Sequence, residues 1–415
     1  MGVTEVRTAM IVGGGVAGPV AAIGLRRAGI EATVYEAYDR QADGIGGELM
    51  LAPNGMAALA AVGIADVVAA AGVPTPRMVM ETGTGRRLGQ FEDLPGLPAS
   101  RTFTRARLYR ALIDAAVAAG VRIEYGRRLT GFTDGPGPVV ARFGDGTTAE
   151  GDVLIGADGI RSTVRGLLDP AAPRPRYSGL IGLGGWVRDP GLPSTDGAMH
   201  LAFGRRAFFG YRVGDDGESG WFANVRSAEM MTAAQAREIP EAEWLRRLRA
   251  LFADDTLPAL RMLGQVEPGE LINVGGLQDM PPVRTWHRGR VVLVGDAAHA
   301  TTPSSGQGAS LSIESAVELA RCLRDLPVPD AFDAYEGLRR ARVERVIART
   351  ARINNDKAPG PVGRVLRDLL FPVAMRTFYN PEKMMGWMHR HTIDWDAPVA
   401  KTPAIATARG GRPAG

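Results

Sequence analysis

The 415-residue sequence is short of cysteine and of long apolar runs. Its single cysteine, Cys322, excludes an internal disulfide and a metal cluster built on cysteines. No apolar run reaches the roughly 18 residues that a membrane-spanning helix requires. The apolar N-terminal stretch is interrupted by glycines and has no cleavage site of the kind that follows a secretory signal. These absences predict a cytoplasmic protein without a membrane span.

An excess of one charge is also missing. Lysine and arginine total 49 against 45 aspartates and glutamates, which gives a net charge of +4. The arginines occur in scattered pairs such as Arg339-Arg340, so we expect solvated helix faces and loop tips rather than a nucleic-acid surface. The five histidines show no metal-ligand spacing except His389-x-His391, for which a surface or packing role is expected. The sequence predicts neither a nucleic-acid partner nor a metal.

The chain is organised around a strand, a glycine loop, a helix and a second strand in residues 8–36. The loop, GGGVAG, fits G-x-G-x-x-G. Gly13 permits the tight turn, Gly15 lets the backbone approach a pyrophosphate, and Gly18 lets the helix pack closely on the strand. Glu36 ends the second strand, where an acid can bind a ribose hydroxyl. The motif predicts a bound dinucleotide without deciding which one.

Strand and helix patterns divide the rest of the chain. Alternating apolar residues predict strands at 129–133, 139–143 and 207–213, and apolar spacing predicts one helix over 233–251. We predict an α/β protein with a Rossmann-type domain, an interleaved antiparallel-sheet domain and C-terminal helices. The Rossmann-type domain is assigned residues 1–74, 101–175 and 271–330, the sheet domain 75–100 and 176–270, and the C-terminal helices 331–395. Residues 396–415 have little to bury and are expected to be disordered.

Three further motifs place polar residues at strand ends and helix starts. Arg105 begins a predicted helix, where its charge opposes the helix dipole unless an anion is bound nearby. Asp158 follows a buried strand in the segment GADGIRS, and Asp296 follows another in GDAAHATTPSSGQG. The glycines at 306 and 308 open a helix and leave its N–H groups bare for an anionic, ring-shaped partner.

These motifs together resemble one family. G-x-G-x-x-G with Glu36, the segment Asp158-Gly159 and the segment Gly295-Asp296 occur in the order typical of single-component FAD-dependent aromatic hydroxylases. That group is typified by p-hydroxybenzoate and salicylate hydroxylases. The resemblance covers roughly residues 8–355 and implies that the Rossmann-type domain binds FAD.

The resemblance also implies a role for each matching residue. Gly13, Gly15, Ala17 and Gly18 would hold the FAD pyrophosphate, and Glu36 would hold the adenosine ribose. The other implied FAD contacts are Arg105 at the phosphates or ribityl chain, the Leu129 backbone at adenine, Asp158 in FAD and NAD(P)H use, Asp296 at the ribityl or pyrophosphate part, and Pro303, Gly306, Gln307 and Gly308 at the isoalloxazine ring.

The family's reaction sets the expected activity. In it, NAD(P)H reduces FAD, O2 yields a C4a-hydroperoxyflavin, and one oxygen atom enters an electron-rich ring. We therefore expect a hydroxylase of an aromatic or polycyclic small molecule, with NAD(P)H and O2 as co-substrates, in a monomer or homodimer. The sequence has no second G-x-G-x-x-G for the nicotinamide. No catalytic base is assigned, and His299 is expected to orient its loop.

The antiparallel sheet is expected to cover the substrate. Gly210-Tyr211 resembles the family's Tyr-Pro segment, with Arg212 in place of proline. The candidate pocket residues are Trp186, His200, Phe209, Tyr211, Trp221 and Asn224, although aromatic residues on a sheet are often plain core. Epoxidation, Baeyer–Villiger insertion or dehydrogenation on the same fold, and a non-catalytic FAD-binding module, are alternatives. The tryptophan-rich signature of flavin halogenases is absent.

Overall fold

The structure is a computed structural model that describes residues 6–39, 47–302, 306–356, 368–373, 375, 377 and 380–401. The strands are β1 (Thr8–Val12), β2 (Glu31–Tyr35), β3 (Glu48–Leu51), β4 (Val73–Pro74), β5 (Arg77–Thr82), β6 (Arg87–Glu92), β7 (Arg101–Thr104), β8 (Arg122–Glu124), β9 (Leu129–Thr133), β10 (Val139–Phe143), β11 (Thr148–Gly151), β12 (Val153–Gly156), β13 (Arg176–Arg188), β14 (Ala198–Phe203), β15 (Phe208–Val213), β16 (Glu218–Arg226), β17 (Ile272–Asp279), β18 (His287–Arg288) and β19 (Val291–Leu293).

Helices cover the first sheet and one face of the second. They are α1 (Ala17–Arg27), α2 (Pro53–Ala61), α3 (Ala65–Ala70), α4 (Arg105–Ala118), α5 (Thr163–Leu168), α6 (Ala233–Glu238), α7 (Glu241–Phe252), α8 (Ala259–Leu263), α9 (Asp296–His299), α10 (Gly308–Asp325), α11 (Val328–Asp356), the π-helix Glu382–Gly386 and α12 (Trp387–His389). Within the described part of the chain, every helix is too short or too polar to traverse a lipid bilayer.

Six of the described strands form the first sheet, in the order β18-β19-β12-β1-β2-β8. All of its pairs are parallel except β18 with β19. The central strands are continuous apolar runs, and Ile11, Leu154 and Val292 are fully buried, as expected where helices cover both faces. Val12 pairs with Gly156, which pairs with Leu293, so three strands end side by side at one edge of the sheet.

Seven of the described strands form the second sheet, in the order β17-β13-β16-β15-β14-β5-β6. Its outer face carries Phe209 and Trp221 and packs against Trp244, Leu248 and Phe252 of α7 in a buried cluster. Its inner face, on the other side of the same strands, meets β3, because the Glu48 carboxylate lies against Gly220 of β16. The inner face therefore adjoins the Rossmann-type part of the chain.

Two predicted boundaries change. β17 pairs with β13 in the second sheet, so the assignment of residues 271–330 to the Rossmann-type domain begins one strand too early. The helix predicted over 233–251 is two helices, α6 and α7, because Pro240 precedes the first turn of α7. We move the proposed domain boundary to the end of β17.

The expected disordered tail is held in place at its start. The Val399 N–H donates to the Asp325 carboxylate at 2.8 Å, and Arg321 donates to the Ala397 carbonyl at 3.0 Å. Just before it, the Trp395 ring lies under the guanidinium of Arg27 on α1, at 5.1 Å. Ala397 and Val399 are therefore docked on α10, while 402–415 lie outside the described residues.

Replacing Phe209 by alanine tests the packing of the outer face. The Phe209 ring is fully buried, stacked on Trp221 at 5.9 Å and edge-on to Phe252 at 5.2 Å. We expect Phe209→Ala to lower the free energy of unfolding by about 3–5 kcal/mol, measured by urea denaturation, because it leaves a cavity. Val67→Ala, at a site that is 58% exposed, is the control and should change little. Equal effects of the two substitutions would contradict this packing.

Candidate functional site

The glycine loop follows β1 and is held by two close approaches. Gly13 has φ +111°, and a Cβ there would lie 2.4 Å from the Ala157 carbonyl oxygen. A Cβ at Gly18 would lie 1.9 Å from the Gly13 carbonyl oxygen, so any other residue would push α1 off the loop. At Gly15 a Cβ would meet nothing closer than the Tyr109 hydroxyl, 3.9 Å away. The backbone at Gly15 is thus open to a ligand.

Helices α1 and α10 begin next to each other. A Cβ at Gly295 would lie 2.9 Å from the Ala17 Cβ and 3.0 Å from the Ser312 hydroxyl, and one at Gly24 would lie 2.7 Å from the Ala320 Cβ. The two helices therefore run in the same direction. Neither start has a side-chain cap among the described residues, or an acidic residue in its first turn. Both present N–H donors and a positive dipole end to the same edge.

Glu36 lies at the rim of the glycine loop. Its Oε2 accepts a hydrogen bond from the Gly14 N–H at 2.7 Å, and its Oε1 accepts one from the Tyr38 N–H at 3.0 Å. Each carboxylate oxygen has a second lone pair for a further donor. The side chain is thus positioned by the backbone and can still accept from a hydroxyl.

Arg105, Tyr109 and Asp296 converge on the glycine loop. The Arg105 guanidinium lies 5.9 Å from the centroid of the Tyr109 ring, four residues further along α4. Burial raises the pKa of Asp296, and the charge of Arg105 and a hydrogen bond from Ser312 partly offset that rise. Tyr109 was not predicted from the sequence, although its spacing from Arg105 was a usable signal. Together these groups place a cation and two hydrogen-bonding side chains beside the helix starts.

Asp158 anchors the start of α5. Its Oδ2 accepts from the backbone N–H groups of Thr163 at 2.7 Å and Val164 at 3.0 Å. Burial raises the pKa of this carboxyl group, and those hydrogen bonds oppose the rise. Arg165, which the sequence analysis missed, is buried and donates to the Ala297 carbonyl at 2.9 Å. The D-G and G-D segments are therefore joined through α5. Asp158 thus has a structural role at the start of α5, in addition to the role in FAD and NAD(P)H use that the resemblance implies.

The remaining predicted FAD contacts lie at the start of β9 and in and before the first turn of α10. The Leu129 side chain is buried at the start of β9, so only its backbone is available to a ligand. Gly306 has φ +60°, Gln307 is buried before the first turn of α10, and Gly308 begins that helix. Pro303 lies outside the described residues.

A buried polar network supports the start of α10. The Asn54 amide donates to the Gln307 side-chain oxygen at 3.1 Å and to Glu314 at 2.6 Å. Glu314 is fully buried and lies 2.7 Å from Arg339 and 2.8 Å from Arg342. The prediction of a solvated Arg339 is wrong, because this side chain is completely buried against Glu314. Burial by itself would raise the pKa of Glu314, but the two arginines outweigh it and lower the pKa to about 2.

The buried histidines at this end are neutral near pH 7. The Nε2 of His299 lies 2.9 Å from the Ser315 hydroxyl, and burial lowers the pKa of the ring to about 3. The Nε2 of His389 lies 3.5 Å from the Gln307 amide nitrogen, and burial lowers its pKa to about 4. Among the described residues, no three His, Cys, Asp or Glu side chains cluster so as to hold a metal ion.

The predicted pocket residues divide between the two faces of the second sheet. His200 pairs with Tyr211, and Tyr211 pairs with Trp221, so these three share the outer face with Phe209. Phe209 and Trp221 are 0% and 1% exposed because side chains of α7 pack directly on them, so the helix occupies the space over this face. This corrects the sequence-based pocket.

The inner face holds the other two predicted pocket residues. Trp186 pairs with Gly220, and Asn224 pairs with Phe208, so both project to the side that meets β3. Arg212, which also pairs with Gly220, lies on this face and was not predicted as a pocket residue. A period of two shows which residues share a face, but it does not show which face is covered by helices.

Comparisons with known proteins agree with this geometry. Residues 5–350 match a family model described as FAD binding domain. The chain is 32% identical over 360 residues to an aurachin C monooxygenase/isomerase of Stigmatella aurantiaca, covering 83% of this chain and 88% of that protein. It is 29% identical to an FAD-dependent urate hydroxylase of Klebsiella pneumoniae, covering 82% and 87%. The fold is shared with Klebsiella pneumoniae HpxO complexed with FAD and uric acid, with a TM-score of 0.79, 24% identity and coverage of 93% and 97%.

Neutralising Glu314 tests the network below α10. Glu314→Gln leaves the charges of Arg339 and Arg342 without a buried partner, so we expect the free energy of unfolding at pH 7 to fall by about 3–5 kcal/mol. Because the pKa of Glu314 is lowered to about 2 in the folded protein, its contribution to stability is complete above its ordinary pKa and is lost as pH falls towards 2. The difference between wild type and variant should therefore shrink below about pH 4.

The control for this experiment is Glu243→Gln. Glu243 also has a pKa lowered to about 2, by hydrogen bonds from Arg246 and Arg247, but it lies on an exposed helix face. Urea denaturation at pH 7, 5 and 3.5 should show little change for this variant, because water replaces the lost partners. Similar losses of unfolding free energy in the two variants would contradict the prediction that Glu314 contributes more to stability because it is buried.

Proposed function

Because the chain belongs to the FAD binding domain family, we propose that it is an FAD-dependent monooxygenase that hydroxylates an aromatic or polycyclic small molecule with NAD(P)H and O2. The observation that carries the proposal is the pair of uncapped helix starts, α1 and α10, at the edge where the glycine loop and Asp296 lie. The inner face of the second sheet, which carries Trp186 and Asn224, adjoins β3, and Met50 of β3 lies next to Gly306 before the start of α10.

The residues present fit FAD. The open backbone at Gly15 and the N–H groups of α1 suit the pyrophosphate, and Glu36 suits the adenosine ribose. Arg105 and Asp296 would hold the phosphates and the ribityl chain. The start of α10 suits the ring, since its dipole stabilises negative charge. When bound, FAD supplies redox chemistry and O2 activation that no amino-acid side chain provides.

The chain itself fixes the orientation of the groups around the site. The network of Asn54, Gln307 and Glu314 holds the start of α10 in place. His299 is buried, and burial lowers the pKa of its ring to about 3, so we assign it the orientation of its loop rather than the role of a base. We leave the catalytic base unassigned.

The finer points of the proposal follow the family resemblance. NAD(P)H is the reductant, and it visits the site without a Rossmann domain of its own. We infer a cytoplasmic enzyme acting as a monomer or homodimer. Epoxidation, Baeyer–Villiger insertion and dehydrogenation share the same cofactor site, so the fate of the oxygen atoms separates them.

The visible spectrum and an oxygen-labelling experiment test the activity. We expect the purified protein to be yellow, to release FAD on denaturation and to oxidise NADPH faster when a suitable ring compound is added. With ¹⁸O2, one labelled atom should enter the product as a hydroxyl group. A product without label would indicate dehydrogenation. A colourless protein that FAD cannot reconstitute would overturn the proposal.

Replacing Arg105 tests the cofactor site directly. Arg105→Met removes the cation beside the glycine loop, and loss of a charge-assisted hydrogen bond to phosphate should weaken FAD binding about 10- to 100-fold. The measurement is titration of apoprotein with FAD, followed by quenching of flavin fluorescence. Arg107→Met is the matched control, because Arg107 is exposed and faces Glu218 at 3.7 Å. If both variants bind FAD like the wild type, Arg105 is not a cofactor contact.

A further inference from the structure

Two opposite charges are buried between β3 and the inner face of the second sheet. The side chains of Glu48 and Arg212 are each 5% exposed, and the Arg212 Nη2 lies 3.7 Å from the Glu48 Oε1. The Glu48 carboxylate rests on Gly220, where a Cβ would come within 2.4 Å of Oε1. Any side chain at Gly220 would expel it. The glycine therefore makes the space in which the pair lies.

Three buried polar atoms of this pair have no hydrogen-bond partner within the described part of the chain. Neither oxygen of Glu48 has a hydrogen-bond partner there, and the Nε of Arg212 has none. The separation of 3.7 Å joins the two charges electrostatically but is too long for a hydrogen bond. Buried polar atoms in native proteins nearly always have a hydrogen-bond partner, so the unpartnered atoms of Glu48 and Arg212 need a specific explanation. One explanation is that their partner is a bound ligand.

The pair lies on the face of the second sheet that adjoins β3. Trp186 and Arg212 both pair with Gly220, so the pair lies beside an aromatic ring on the inner face. Two residues beyond Glu48, the Met50 methyl group lies 3.0 Å from where a Cβ would be at Gly306, next to the start of α10. The strand β3 thus connects the orphaned carboxylate with the helix start that suits the flavin ring.

We propose that Glu48 and Arg212 recognise a neutral aromatic substrate by a hydrogen-bond donor and an acceptor on adjacent ring atoms, as in the N–H and C=O of a lactam. This inference rests on the proposed function and names its substrate class. Glu48 accepts from the ring N–H, and Arg212 donates to the carbonyl oxygen. The two side chains together are complementary to one edge of the ring.

The charges explain why the substrate is neutral. Arg212 already has a buried counter-ion in Glu48, so a substrate carboxylate would bring in a negative charge with no free cation. Other charged groups close to this pair include Glu218 on β16, which raises the pKa of Glu48, and Arg107 on α4, which faces Glu218. A third is Asp216, because its Oδ1 and the Arg212 Nη1 both lie next to the Cβ position of Gly214. Burial raises the pKa of Glu48 to about 7, so the carboxylate is ionised and able to accept at pH 8.

Three matched ring compounds test the proposal in the FAD-loaded enzyme at pH 8. They are 2-quinolone, which has the adjacent N–H and C=O, N-methyl-2-quinolone, which lacks the donor, and quinoline-2-carboxylate, which is an anion. Dissociation constants come from the change in the flavin absorption spectrum. We expect 2-quinolone to bind about tenfold or more tightly than either of the other two, as for a hydrogen bond to a charged group.

Substitutions of Glu48 and Arg212 test whether the preference for 2-quinolone depends on these two side chains. In Glu48→Ala the ratio between 2-quinolone and its N-methyl derivative should fall to about one, and the carboxylate should bind more tightly because Arg212 loses its counter-ion. Arg212→Met should weaken 2-quinolone and leave the carboxylate weak. Glu81→Gln is the control: Glu81 is also buried, but it pairs with Ala202 on the outer face, so the ratios should not change.

The outcomes separate this inference from the proposed function. A protein that holds no FAD refutes the function itself. A protein that holds FAD and oxidises NADPH, but binds the carboxylate best, binds the two quinolones equally, or binds none of the three, refutes only the role of the pair. An unchanged ratio in Glu48→Ala would do the same, provided that the variant still holds FAD.

Discussion

The register of three parallel strands is the constraint on which the site depends. Val12, Gly156 and Leu293 are neighbours across the first sheet, so the segments that follow β1, β12 and β19 leave the sheet at the same edge. Those segments are the glycine loop, the D-G segment and the G-D segment. Fingerprints that are more than 100 residues apart in the chain become one surface through backbone hydrogen bonds alone. Their side chains refine a position that the sheet has already set.

Buried charges then hold the helices around that edge. Arg165 ties α5 to α9, and Glu314 with Arg339 and Arg342 ties α10 to α11. Such pairs contribute little net stability compared with apolar packing, but each is costly to break. They therefore fix the positions of these helices along their axes relative to one another. The start of α10 keeps its place beside the start of α1 only if those positions are fixed.

The features of the fold and the site that could be predicted from the sequence are those that depend on residues close together in the chain. Apolar alternation between glycine turns placed β9 and β10 at their observed bounds, and the glycine loop was read residue by residue, because both patterns depend on near neighbours. The sequence-based prediction chose the wrong face of the second sheet for the pocket, because the alternation of side chains along a strand does not show which of its two faces helices cover. Phe209 and Tyr211 resembled a pocket lining, whereas α7 covers them. The burial of Arg339 was missed for a different reason: its partner, Glu314, lies on another helix, far away in the sequence.

The docked segment at the end of the described residues has a consequence for cofactor affinity. Trp395 lies under Arg27 of α1 and under Arg324 of α10, at 5.1 and 5.2 Å. This side chain therefore joins the two helices whose starts lie side by side at the edge of the first sheet. A ligand that binds both helix starts and the docking of this segment accordingly stabilise each other by thermodynamic linkage.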